Sequence, residues 1–286
     1  MITSEQAAAR SDRQAVRDDR ILRLTRWVAI GVIPFLVAAF IILAFFPNRT
    51  GEFFAWPITP PMTALLMGAG YLGGAYFFAR VATESRWRRV AIGFPAVTVF
   101  TVAMLAATLL HMDRFNVGTL PFYTWLALYI VTPVLIPVLW LRNRNPAAAE
   151  PEAGDVRVPG AVRVVLALVS LVQLGFAVVG FARPDILASV WPWELTPLTG
   201  RVLSGWLAFL GVGGLVMARE TLWSAWRIGV QSITLWQALV LVGALAHPAD
   251  FTGGLLNWYT LVVAVGVLAL IVLYVTLENR RRALKA

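Results

Sequence analysis

Eight apolar stretches alternate with short polar breaks along the 286-residue chain, at 27–46, 62–79, 90–110, 122–141, 161–182, 201–218, 228–246 and 256–277. At about 1.5 Å rise per residue, each is long enough to cross a hydrocarbon core of about 30 Å, the shorter ones only just. A chain surrounded by lipid must satisfy its backbone polar groups internally, so the spans are expected to be helices. The pattern therefore predicts an all-α integral membrane protein with eight transmembrane helices.

The polar breaks repeat. Trp56-Pro57-Ile58-Thr59-Pro60 returns as Trp193-Glu194-Leu195-Thr196-Pro197, and Ala79-Arg80 returns as Ala218-Arg219. Ser85-Arg86-Trp87-Arg88 matches Ser224-Ala225-Trp226-Arg227, His111 to Phe115 keeps its spacing in His247 to Phe251, and Phe122-Tyr123-Thr124 returns as Trp258-Tyr259-Thr260. The offset stays between 136 and 139 residues. Matches in one register predict two tandem four-helix repeats, 27–141 and 161–277. They would be flanked by an N-terminal arm (1–26), a flexible linker (142–160) and a basic tail (278–286). Four spans per repeat give both repeats one orientation, related by an axis along the membrane normal.

Charge orients the bundle. The arm, the 80–89 and 219–227 loops, the 142–163 linker and the tail hold 20 of the 24 basic residues. The opposite side holds four: Arg49, Arg114, Arg183 and Arg201. The asymmetry predicts that the arginine-rich face and both termini are cytoplasmic. It also accounts for the net charge of +9 without nucleic acid as a partner. The first span follows a long basic region and ends without a good cleavage site, so it reads as a retained helix. Arginine-heavy, lysine-poor usage points to a bacterial cytoplasmic membrane.

Composition removes several chemistries. There is no cysteine, so disulfides, thiolate metal sites and cysteine nucleophiles are excluded. The spans hold no Asp, Glu, Lys or His away from their ends, which argues against proton-coupled transporters, pumps, voltage sensors and retinal proteins. Gln231 and Gln237 in the seventh span are expected either to line a cavity or to hydrogen-bond between helices. Glycines in the second span (Gly68, Gly70, Gly73, Gly74) and the sixth (Gly205, Gly211, Gly213, Gly214) predict close helix packing. Pro34, Pro95, Pro133 and Pro137 predict kinks in spans 1, 3 and 4. No nucleophile elbow, phosphate-binding loop or carboxylate pair suggests an enzyme.

The remaining chemistry gathers on the face opposite the arginines. The two histidines, His111 and His247, end equivalent spans, with Asp113 and Asp250 just beyond them and Trp56 and Trp193 on the same side. These six residues are the candidate ligand-binding set. They would rim an outward-facing pocket between the repeats that binds or transports a small apolar or amphipathic molecule. Two alternatives stand beside it. One is a non-catalytic accessory or scaffold subunit of a larger membrane complex. The other is a haem electron carrier with the histidines as axial ligands. Residues of these types also populate helix ends at any membrane interface.

Overall fold

Each span is a helix because an apolar run of this length has no other way to pair its backbone in lipid. The computed structural model describes residues 19–144, 152 and 154–284, and eight of its helices are long and apolar enough to cross a membrane. They are α1 (Arg23–Phe45), α2 (Pro61–Thr83), α3 (Gly93–Leu110), α4 (Leu120–Asn143), α5 (Gly160–Ala182), α6 (Pro197–Arg219), α7 (Trp223–Ala246) and α8 (Trp258–Ala283). The protein is thus an all-α, multi-pass membrane protein.

Its helices are exchanged between the two halves of the chain. The most extensive contacts are α1 with α2 and α5 with α6, then α3 with α6 and α7 with α2, then α3 with α4 and α7 with α8. Each contact of one half has its counterpart in the other, yet the second and third helices of a half reach across to the other half. In space the groups are therefore α1–α2–α7–α8 and α5–α6–α3–α4, neither of which is continuous in sequence.

Small residues permit these crossings. A Cβ at Gly70 would lie 2.7 Å from the Trp206 ring and 3.1 Å from Trp236, and one at Gly73 would lie 3.0 Å from the Ser232 carbonyl. Gly68 and Gly74 instead face α1. On α6, Gly205 and Gly213 face α3 while Gly211 faces α5. The glycines thus serve two interfaces on each central helix. The middle of the bundle is filled by aromatic rings. Trp206 lies 4.3 Å from Phe100, 4.9 Å from Trp236 and 5.4 Å from Tyr71 between ring centroids.

The two crossings differ in chemistry. Between α2 and α7, Tyr76 Oη donates to Gln231 Oε1 (2.7 Å), Ser232 Oγ to the Gly73 carbonyl (2.8 Å) and Trp236 Nε1 to the Leu66 carbonyl (3.1 Å). Gln231 also donates to Tyr274 Oη on α8 at 2.8 Å. Such bonds contribute about 0.6 kcal/mol each on average within membranes. Between α3 and α6 the contact is apolar, apart from one bond at the outer end described below. Gln231 therefore takes the interhelical role, whereas Gln237 Oε1 is buried without a partner among the described residues.

Three local expectations change. Pro95 occupies the first turn of α3, where a missing N–H costs nothing, and so does not kink a helix interior; Pro34, Pro133 and Pro137 do lie inside theirs. Of the linker, residues 145–151 and 153 lie outside the described residues. Its last part is a docked strap: Asp155 Oδ1 accepts the Ser224 N–H (3.0 Å), Val158 N–H donates to Thr221 (2.9 Å), and Val156 and Val158 are buried. Residues 1–18 of the arm lie outside the described residues too. The stretch before α1 repeats the strap, with Asp19 accepting the Arg88 N–H at 3.1 Å.

Candidate functional site

On the face opposite the arginines, the loop after the first helix of each half folds inward and is stitched to the loop after the third. Asn116 N–H donates to the Ala55 carbonyl (2.9 Å) and Thr252 N–H to the Pro192 carbonyl (2.7 Å). This turns the tryptophans into plugs. Trp56 packs against Phe54, Phe115 and Trp125 at centroid distances of 5.1, 5.0 and 4.8 Å, and Trp193 against Trp191, Phe251 and Tyr259 at 5.2, 5.4 and 5.1 Å. Each is only 1% exposed. They are core residues of the loops on this face.

A single extra proline separates the two loops chemically. In the second half, Thr196 is the N-cap of α6 and forms a reciprocal capping box with Thr199. In the first half, Thr59 is followed by two prolines, so Pro60 takes the N-cap position of α2 and offers no side-chain oxygen. The missing cap comes from the other half: Asp250 Oδ2 accepts the Met62 N–H at 2.8 Å, where a carboxylate also meets the positive end of the helix dipole. The Thr63 hydroxyl, not engaged in a box, accepts Trp193 Nε1 at 2.8 Å. Thr199 is occupied by its box, and Trp56 Nε1 is left buried without a partner among the described residues. In the first half Arg114 holds the position that matches Asp250, and its neighbour Asp113 remains exposed in an ion pair with it (3.1 Å).

His111 closes the other crossing. It is the C-cap of α3, and its Nε2 lies 2.7 Å from a terminal nitrogen of Arg201 in the second turn of α6. A guanidinium can only donate, so Nε2 accepts and the imidazole is neutral with its proton on Nδ1. Partial burial and the Arg201 charge both depress the His111 pKa below the ordinary imidazole value. Arg201 Nε also donates to the Phe181 carbonyl near the end of α5 at 3.1 Å. The bridge thus ties α3, α5 and α6 together. An axial haem ligand would need the nitrogen that Arg201 holds, so His111 does not fit that role in this arrangement. His247 caps the C-terminus of α7 and has no side-chain partner among the described residues.

The structure therefore distributes the six candidate residues among separate tasks. Asp250, Trp193 and His111 join the halves, Trp56 fills a loop, and among the described residues the side chains of Asp113 and His247 make no hydrogen bond or ion pair between halves. Sequence reasoning missed Thr63, Thr199 and Arg201. The duplicated proline at Pro60-Pro61 was the available signal for the first two, because it moves a threonine out of capping register.

The open spaces lie beside the first helix of each half. A groove of about 320 Å³ is walled by Val172, Gly175, Phe176 and Val179 of α5 and by Ile186 and Val190 of a short helix, Pro184–Val190. Its lining is almost wholly apolar. Gly175 opens it: nothing lies within 4 Å of where a Cβ would stand. Gly180, one turn further on, is instead filled against Ser204 and Leu187. The corresponding loop of the first half encloses about 240 Å³, edged by Asn48, Arg49, Glu52 and Thr59. Among the described residues no group of three or more His, Asp or Glu side chains is placed to hold a metal ion.

Fold and site define the class: a multi-pass membrane protein of eight spans with exchanged helices. No family model matches the chain, and no curated protein or solved structure shows significant similarity to it.

Proposed function

We propose that this protein binds a small apolar or amphipathic molecule, such as a lipid with a single inserted acyl chain, in the groove between α5 and the helix Pro184–Val190. The carrying observation is the shape and chemistry of that groove. It is apolar, open to the surrounding hydrocarbon, and kept empty of side chains by Gly175. Its volume lies at the lower end of the range of about 300–1,000 Å³ for small-molecule sites. The exposed Arg183–Asp185 ion pair, 2.9 Å long, adjoins it in sequence at the level where a polar headgroup would sit. A ligand beside one half is favoured over one between the halves, where Trp206, Trp236, Phe100 and Tyr71 fill the core. The protein would act in the cytoplasmic membrane with its arginine-rich face inward.

The test is photolabelling of the purified protein with an acyl-chain probe carrying a diazirine. Wild type is expected to be labelled within 172–190. Gly175→Trp puts a ring into the groove from a position where a Cβ meets nothing within 4 Å, and is expected to abolish that labelling while the melting temperature stays unchanged. Undiminished labelling in the variant overturns the reading. A stoichiometric co-purifying polypeptide, with no labelling of the groove, would replace it with the accessory-subunit reading.

A further inference from the structure

At the arginine-rich end of the α2–α7 crossing, guanidinium groups outnumber the carboxylates they pair with among the described residues. Glu84, the C-cap of α2, is 6% exposed and forms ion pairs with Arg80 and, at 2.7 Å, with Arg89. Its backbone carbonyl accepts from Arg26 of α1. Arg89 is further held by Glu152, two bonds of 2.7 Å each. Three guanidinium groups (Arg80, Arg89, Arg227) thus share Glu84 and Glu152, Arg26 holds backbone carbonyls beside them, and Glu278 acts on Arg227 only at longer range. Arg227, in the second turn of α7, fares worst: its side chain is 18% exposed, and its one ion pair among the described residues is a 3.8 Å approach to Glu84. That is too long for a hydrogen bond, to a carboxylate already engaged twice. Arg80 Nε is likewise buried without a partner among the described residues.

The surroundings are polar in a directed way. Tyr76 lies one turn from Arg80 on α2, and Gln231 one turn from Arg227 on α7, so the four share one seam. Tyr76, Gln231 and Tyr274 hydrogen-bond in series, at 2.7 and 2.8 Å, and carry polarity from the arginines into the bundle. A largely buried guanidinium lacking a full counter-ion is costly, and its planar donor fork suits a phosphate bidentately.

We infer that Arg80 and Arg227 form, between α2 and α7, a binding site for one phosphate-bearing anion, supplied either as the headgroup of an anionic glycerophospholipid or as a free phosphate. Basic pockets between spans recognise headgroups by the same chemistry. The site is independent of the groove on α5.

Native mass spectrometry tests it on the full chain, delipidated and then supplied with equal phosphatidylglycerol and phosphatidylcholine. Wild type is expected to retain one phosphatidylglycerol per chain in preference to phosphatidylcholine. Arg227→Gln leaves Glu84 paired with Arg80 and Arg89, so the fold should persist; retention should fall by about fivefold or more. Arg227→Lys, which keeps the charge, should recover part of it. Added inorganic phosphate that displaces the lipid assigns the site to soluble phosphate; a lipid that resists displacement assigns it to the headgroup. Equal retention of the two lipids without phosphate binding, or retention unchanged in Arg227→Gln, overturns the inference.

Discussion

Arg201 donates to Nε2 of His111 at 2.7 Å, and this is the one side-chain hydrogen bond among the described residues that spans the α3–α6 crossing. Protonating His111 would remove the acceptor and set two cations in contact. Because the folded-state pKa of His111 is lowered, the unfolded chain binds the proton more readily. The contribution to stability is therefore intact above the unfolded value of about 6.5 and is lost as pH falls through the lower folded value. Thermal melts across this range should show the decline in wild type. They should show a smaller one in His111→Gln, which cannot titrate but keeps an acceptor for Arg201.

Asp250 and Asp113 follow the two histidines one position out of register, and their tasks are unequal. Asp250→Ala removes the cap of α2 and should cost about 0.5–2 kcal/mol. Asp113→Ala, at an exposed pair, should stay within about 0.5 kcal/mol of wild type. Denaturant titration in mild detergent compares them; equal effects would refute the cap assignment.

Trp193 and Trp56 offer a matched pair for the hydrogen bond itself. Phenylalanine removes similar ring volume at both, but only Trp193→Phe leaves Thr63 without its donor. Trp193→Phe should therefore be the more destabilising by about 1 kcal/mol, read from the same titration.

Gly70 and Gly31 differ only in what surrounds them. Gly70→Ala would press a methyl against Trp206 and Trp236 and should cost about 1–3 kcal/mol. Gly31 has nothing within 4 Å, and Gly31→Ala should be neutral or stabilising. Quenching and emission shifts of the buried tryptophans would report the Gly70 change independently.

The spans were legible because length and hydropathy alone specify a helix in lipid; the helix ends lie within about six residues of the expected segments, beyond them where α8 runs on to Ala283 and inside them where α3 starts at Gly93. The partners of each helix were not. A span apolar on every side carries no amphipathic stripe to say which face meets which neighbour. Gly70 and Gly68 look alike in sequence, although one meets Trp206 and the other Leu43. The candidate site was read as a cluster because its residues share a depth. Their division of labour depends on backbone register at Pro60 and Thr196, which spacing between motifs does not resolve. The strap at Asp155 was hidden for a similar reason: proline, alanine and acid suggest a loose chain until a specific N–H is available to them.

The exchange of α2 and α6 between halves has a consequence for ancestry. Two separate four-span chains meeting about a two-fold axis would bury the same surfaces, each lending its second helix to the third helix of the other, as in an isologous homodimer. Joined into one polypeptide, two such subunits would always be made in equal number and could not part. They would also be free to differ, and one proline is enough for a difference of this kind: with Pro60 at its N-cap, α2 takes its cap from an aspartate of the other half.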